Sequence, residues 1–258
     1  MQHVIPVVND LLRDNDVVYL CEFNAVEANV AKMLDRLTAG FGNDNNFYGK
    51  EVLRLCKAKG HARHSSAFIY NPTVFEPCED TVDYFYTPAG GLVKGNYRVG
   101  QRVSLRFIGS GQRVNFYCSH WPGHNETDGV YKKEMAAAAL YSEIKKARKG
   151  DFVLCLGDYN AEPYEISFAT LDASRSDKFT IQDGLFYNPF WKYLGEGLGT
   201  LIYPETCCYK AYELLYDQIL VNKDILNLYS VEANIVNIGR DLQKGEHRPV
   251  RITLKIME

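Results

Sequence analysis

Two periods of apolar residue organise this chain. Val4, Ile5, Val8, Leu11 and Leu12 recur at helical spacing, and Asp14-Asn15-Asp16 ends that stripe. Residues 17–21 then form a short continuous apolar run, the pattern of a buried strand, with Glu22 at its end. A second helical stripe passes through Val26, Val30, Met33, Leu34 and Leu37 and stops at Gly40; residues 50–59 predict a third helix. From Ala67 the pattern turns to strands. Turn chemistry falls at Asn71-Pro72 and Gly90-Gly91, and Gly109-Ser110-Gly111 joins strands expected over 97–108 and 113–119 as a hairpin.

Residues 130–149 give the clearest helix. Their centre is rich in Ala, Lys145, Lys146, Arg148 and Lys149 suit the negative end of the helix dipole, and Gly150 supplies the stop. Residues 152–156 are a buried strand, the chain is irregular to about residue 210, and strands over 214–221 and 249–256 close it. Strands outnumber helices, and neither a repeat nor a Pro/Gly/Ser-rich linker divides the sequence. The pattern predicts one domain over residues 1–258, with a two-layer β core and helices packed outside.

Composition narrows the class of protein. With 258 residues, 46% hydrophobic and 24% charged, the chain is long enough to bury a sizeable core and ordinary enough to be globular. The net charge of −3 gives no global attraction to a polyanion, so nucleic-acid binding would need local basic surface. Lys57, Lys59, His61, Arg63 and His64 are one such cluster, though a solvated helix end explains them as well. Seven cysteines without a Cys-x-x-Cys pair argue against a disulfide framework; Cys21, Cys118 and Cys155 sit in strand-like runs as small hydrophobes, and Cys207-Cys208 reads as packing. No apolar run reaches bilayer length and no signal pattern precedes the first helix, so a cytoplasmic location is the expectation. Nothing in the sequence sets an oligomeric state.

The chemistry gathers at strand ends. Gly157-Asp158-Tyr159-Asn160 follows the run 152–156, and period-2 geometry aims Asp158 and Asn160 to one side if the extended backbone persists. A carboxylate can orient or deprotonate water, and a carboxamide beside it can donate to a charged oxygen. Taken alone, Gly-Asp-x-Asn is also an ordinary turn. Four further positions accompany it: Glu22 after 17–21, His120 after 113–119, Asp217 interrupting the apolar run 214–221, and Glu246-His247 ahead of the last strand. An unpaired carboxylate inside an apolar run is costly, and His247 is the natural partner for Asp217.

The order of these elements is more specific than any one of them: Glu, His, Gly-Asp-x-Asn, Asp before Gln-Ile-Leu-Val, then acidic-His-Arg-Pro-Val. It resembles the endonuclease/exonuclease/phosphatase superfamily of metal-dependent phosphoesterases from the N-terminus to Val250. His120-Trp121-Pro122-Gly123, Asp158-Tyr159-Asn160-Ala161-Glu162-Pro163 and Tyr187-Asn188-Pro189-Phe190-Trp191 look like an uncharacterised bacterial branch of it. The resemblance implies a four-layer α/β sandwich, two mixed β-sheets packed face to face with helices outside. It implies Glu22 as a Mg²⁺ ligand (Mn²⁺ being the other candidate ion), His120 on the scissile phosphate, Asp158 and Asn160 on the attacking water and phosphate, and Asp217 paired with His247. Whether Asp158 or the Asp217–His247 pair is the general base stays open.

Two departures accompany the resemblance. The family's Ser-Asp-His reads Gly245-Glu246-His247 here, and Glu246 is assigned to the metal on the strength of its charge. The sequence also starts in the helix that should follow the family's usual first strand, so either its start is truncated or the protein does without that strand. The leading expectation is a Mg²⁺-dependent phosphodiesterase, most simply a nuclease, with nucleic acid or another phosphoester as partner. A phosphatase or phospholipase on a small phosphorylated or lipid substrate is the alternative, and a catalytically silent binding module the third reading. His124, Tyr187 and Trp191 are candidate substrate contacts, the two aromatics serving equally well as core.

Overall fold

The structure, a computed structural model, describes residues 4–23, 65–87, 98–123, 129–170, 177–181, 186–203, 212–237 and 247–257. The helices expected near 26–37 and 50–59, the basic cluster at 57–64, Gly90-Gly91, His124, Cys207-Cys208 and Glu246 lie outside those residues. In chain order the elements begin with α1 (Val4–Asp14), β1 (Val17–Phe23), β2 (Ser65–Tyr70), β3 (Phe75–Tyr86), β4 (Arg98–Phe107) and β5 (Arg113–His120). Next come α2 (Gly129–Ile144), β6 (Phe152–Asp158), α3 (Ile166–Thr170), β7 (Phe186–Tyr187), β8 (Leu201–Tyr203) and β9 (Tyr212–Leu214). The last are β10 (Asp217–Asn222), α4 (Lys223–Leu226), β11 (Tyr229–Ile235) and β12 (Val250–Ile256).

The main sheet has the order β3-β4-β5-β6-β10-β7. Its pairings are antiparallel except β5 with β6, and that parallel pair is bridged by α2, the crossover such a connection requires. Alternate residues of these strands feed two cores. Val103, Leu105, Val114, Phe116, Leu154 and Leu156 face inward, while Tyr117, Val153, Cys155 and Leu220 face Ala136, Ala137 and Leu140 of α2. Burial on both faces is why β6 reads as an unbroken apolar run. Burial also pushes the Cys155 thiol far above its ordinary pKa, so it stays a neutral packing group.

A second β layer covers the inward face. Among the described residues it consists of two antiparallel pairs, β1 with β2 and β11 with β12. Phe68 and Tyr70 from one pair and Val231, Ile252 and Leu254 from the other join the inward core. Two β layers face to face, with helices outside, make an α/β sandwich of the expected class. A short ribbon of β8 and β9 stands beside the start of β10.

Three local differences have physical causes. The run 214–221 splits into β9 and β10 because Tyr159 N–H donates to the Tyr216 carbonyl, bending the chain ahead of Asp217. Helix α2 ends at Ile144, where the hydrogen bonds tighten to three-residue turns (Lys146 to Glu143, Ala147 to Ile144). Strand β11 lies between the two closing strands, where no element was expected, and it carries polar residues at alternate places.

Candidate functional site

The ladder of the main sheet aligns three of the expected residues. Asp158 is the register partner of His120 on β5 and of Asp217 on β10, so the three stand in one row across adjacent strands and on one face. Gly157 permits the close approach that this needs: a Cβ there would sit 1.9 Å from the Ser119 carbonyl oxygen. His247 joins from the segment before β12. Its Nδ1 is 2.7 Å from Asp217 Oδ2, the pairing expected of an otherwise unsupported carboxylate.

Exposure is graded along the row. Asp158 is 3% exposed, Asp217 14%, and the two imidazoles about a quarter each. Asp158 Oδ1 accepts the backbone N–H of Asn160 at 2.9 Å, while Oδ2 lies 3.7 Å from His120 Nε2, an ion-pair distance when that ring is protonated. Asn160 departs from the extended geometry assumed for it. Its φ is +47°, in the left-handed region that Asn tolerates, and the strand has already ended. Its amide instead donates to the Trp121 carbonyl at 2.9 Å, which ties the end of β6 to the end of β5.

Several supporting residues gave no signal in the sequence. Lys133 of α2 is 1% exposed and donates from Nζ to the Asn160 carbonyl at 2.9 Å and to Glu165 Oε2 at 2.6 Å, fixing the turn from behind. A buried ammonium needs such partners. Thr200 Oγ1 accepts the N–H groups of Tyr216 and Asp217, both at 3.0 Å, and the Thr200 carbonyl accepts Arg248 N–H at 2.7 Å. One threonine therefore sets the positions of both members of the Asp217–His247 pair. Arg248 donates to Glu213 Oε2 at 2.5 Å and Oε1 at 3.1 Å and to the Gly199 carbonyl at 2.8 Å. Burial pushes the Glu213 carboxyl up, but the hydrogen bonds from Arg248 and Gly199 outweigh it and hold the pKa below the ordinary value. Gln218, on the opposite face from Asp217, donates to Ala161 and Leu215 carbonyls and accepts from Asn188, joining the loops that follow β6 and β7.

The other expected residues fare differently. Glu22 is on β1, next to its last residue, and nothing further of its side chain is described. Tyr187 pairs with Val221, four residues down β10 from Asp217, or about 13 Å at strand rise. It packs half-buried against the inward core. Trp191 lies in the 3₁₀ turn Pro189–Tyr193, packed beside β11. The register keeps Tyr187 away from the row, and the core reading fits it because its apolar ring fills the sheet edge.

One atom each from Asp158, Asp217 and His247 falls within 4.8 Å of the others. Two carboxylates and an imidazole suit a divalent cation that keeps waters in its remaining positions. All three residues line a large cavity.

No family model matches the sequence, and no curated protein does. Solved structures match along nearly the whole chain. The Bacteroides thetaiotaomicron mannosyl-6-phosphatase has 13% identity and a TM-score of 0.65, covering 98% of this chain and 90% of its own. An endonuclease/exonuclease/phosphatase from Bacteroides vulgatus has 14% identity and a TM-score of 0.62, covering 99% and 91%. The D. rerio TDP2 structure with single-stranded DNA product has 15% identity and a TM-score of 0.64, covering 97% and 91%. With its sandwich, its strand order and its row of strand-end groups, this chain has the fold of the endonuclease/exonuclease/phosphatase proteins.

Proposed function

We propose that this protein is a metal-dependent phosphoester hydrolase, most simply a nuclease acting on phosphodiesters. The observation that carries the reading is the single row of His120, Asp158 and Asp217, closed by His247, with Asp158, Asp217 and His247 lining a cavity. A phosphodiester is anionic and resists attack, so its hydrolysis needs a water-orienting base and donors to the phosphoryl oxygens. Asp158 is the base in this reading: its Oδ1 is committed to Asn160 N–H, which leaves Oδ2 to accept a proton. His120 donates to a phosphoryl oxygen, and the Asn160 amide presents the hydrogen not given to Trp121. Asp217 holds one tautomer of His247, with Nδ1 protonated and Nε2 turned outward.

Glu22 and Glu246 would be the metal ligands, with Asp217 and His247 beside them and Asp158 keeping its Oδ2 for the water; Mg²⁺ suits the carboxylates and Mn²⁺ the imidazole as well. A divalent ion bound there supplies positive charge to offset what builds up on the phosphoryl group. Phosphomonoester hydrolysis is the second reading, favoured by the likeness to a mannosyl-6-phosphatase. The test is a hydrolysis screen with single- and double-stranded DNA, RNA and phosphomonoesters, with and without EDTA. EDTA-sensitive cleavage of a polynucleotide is the expected result. Activity on monoesters alone would select the second reading, and inactivity on every substrate would hand the case to a binding module.

A further inference from the structure

Glycines aside, Asn160 is the one residue among those described with a left-handed backbone, at a φ of +47°. That conformation is unfavourable for a residue with a side chain and persists where its surroundings hold it. Three hydrogen bonds hold Asn160. Its N–H donates to Asp158 Oδ1, its side-chain amide donates to the Trp121 carbonyl, and its own carbonyl accepts from Lys133 Nζ, each at 2.9 Å. The first two run between the ends of β6 and β5. The third comes from α2, on the outer face of the main sheet.

The buried face of α2 also carries Ala136, Ala137 and Leu140, which pack on the sheet. Lys133 stands among them at 1% exposure. Its Nζ donates at 2.6 Å to Glu165 Oε2, and Glu165 Oε1 accepts the Glu162 N–H at 3.0 Å. The ion pair therefore grips the turn at two places, residues 160 and 162. A buried ion pair adds little stability over apolar side chains of similar volume. Apolar packing at this position would serve the helix equally, but it would leave the Asn160 carbonyl without its donor.

We propose that Lys133, paired with Glu165, is a positioning residue of the reaction. From α2 it holds Asn160 left-handed, and through Asn160 it sets both the Asp158 carboxylate and the amide that meets the phosphoryl group. The inference rests on the phosphoester reading and deepens it. Asn160 N–H occupies Asp158 Oδ1 and so turns Oδ2 to the water. A turn that loses its carbonyl tie relaxes, and both groups move with it. Misplacing a reacting group by about 1 Å costs up to about 10²-fold in rate. Lys133 is buried behind the turn and does not touch substrate, so its loss falls on kcat rather than on KM.

The experiment measures kcat and KM of the full chain with Mg²⁺ on bis(p-nitrophenyl) phosphate, a diester, and p-nitrophenyl phosphate, a monoester. Lys133→Met is compared with Leu140→Ala, a fully buried position about two turns further along α2, at a temperature where both are folded. In Lys133→Met, kcat is expected to fall about tenfold to 10²-fold with KM within about threefold. In Leu140→Ala, kcat stays within about threefold of the wild type despite a lower thermal midpoint. Lys133→Met/Glu165→Leu, which removes both charges, recovers the midpoint but not kcat. The backbone and side-chain amide NMR signals of Asn160 shift in both Lys133 variants and stay in place in Leu140→Ala. Unchanged kcat in the Lys133 variants overturns the proposal. So does a loss of kcat that tracks the thermal midpoint across all three variants, or failure of both Lys133 variants to fold, which makes Lys133 a folding residue. Wild-type protein inactive on both esters and on DNA and RNA overturns the phosphoester reading instead. The Asn160 signals then decide the matter by themselves, and signals unmoved by Lys133→Met overturn the proposal.

Discussion

The two β layers bury their strands to very different degrees. In the main sheet, six of the eight residues of β5 and six of the seven of β6 are buried, whereas β12 in the opposite layer has none. Among the described residues the main sheet is six strands wide, and the opposite layer is two pairs with a cavity between them. The difference separates two jobs. The wide sheet sets the row of His120, Asp158 and Asp217 by backbone register, while the divided layer contributes His247 through a side-chain hydrogen bond and a one-residue bridge to Leu201.

The largest test of that division is chemical. Asp158→Asn is expected to lower activity by about 10²–10⁴-fold, since it removes a proton acceptor. Because its neighbours are fixed by the ladder, the circular dichroism spectrum should be unchanged. A spectrum that changes along with activity would mean that Asp158 holds the sheet together rather than serving the site.

Packing gives the next contrast. Leu105→Ala, at a fully buried position of the main sheet, is expected to cost about 2–5 kcal/mol. Leu254→Ala, half-buried on β12, should cost about 1 kcal/mol, because part of that side chain already meets solvent. Urea midpoints of the two variants decide it, and equal losses would erase the distinction between the layers.

Between those two in size stands Thr200→Val. It keeps the shape but strands the N–H groups of Tyr216 and Asp217, at about 1–3 kcal/mol. Thr200→Ser, which keeps the hydroxyl, should restore both stability and activity.

The smallest effect is electrostatic and belongs to the main sheet's edge. Asp80 of β3 accepts from Arg113 of β5 at 2.7 and 2.9 Å and from Arg102 of β4 at 3.4 Å. Hydrogen bonding from Arg113 holds its carboxyl below the ordinary value of 3.8. A depressed acid stabilises the fold above its unfolded pKa, and that contribution is lost as pH falls through the lower folded value. Asp80→Asn should therefore lower stability slightly near neutrality, where the ionised carboxylate contributes, and flatten the profile below about pH 4. The group is more than half exposed, so salt should weaken the effect.

How much of this was legible follows the same division. Strand β6 and its Asp158 stood out because burial on both faces writes an unbroken apolar run, and Asp217 because a carboxylate inside such a run demands a partner. The second layer writes a weaker signal. Strand β11, with Ser230, Glu232 and Asn234 at alternate places, faces solvent on one side and blended into the surrounding polar chain. Strand β3 hid behind Glu76, Glu79, Asp80 and Asp83, acidic residues that a strand interior disfavours. Within the site, Lys133 and Thr200 were invisible because their partners, Asn160 and Asp217, lie 27 and 17 residues away. Tyr187 shows the converse: its aromatic motif allows stacking or core packing equally, and only the sheet register places it four residues along β10 from Asp217.

The register itself has a hereditary consequence. Because His120, Asp158 and Asp217 share one row, the loss of a single codon within β6 would shift every later residue of that strand by one place and turn it to the other face. Asp158 would then point toward α2, while Leu154 and Leu156 would leave the inward core. Substitutions in this strand act one side chain at a time, but an insertion or deletion acts on the site and both cores at once. Lineages carrying this sheet are therefore free to change the composition of β6 more readily than its length.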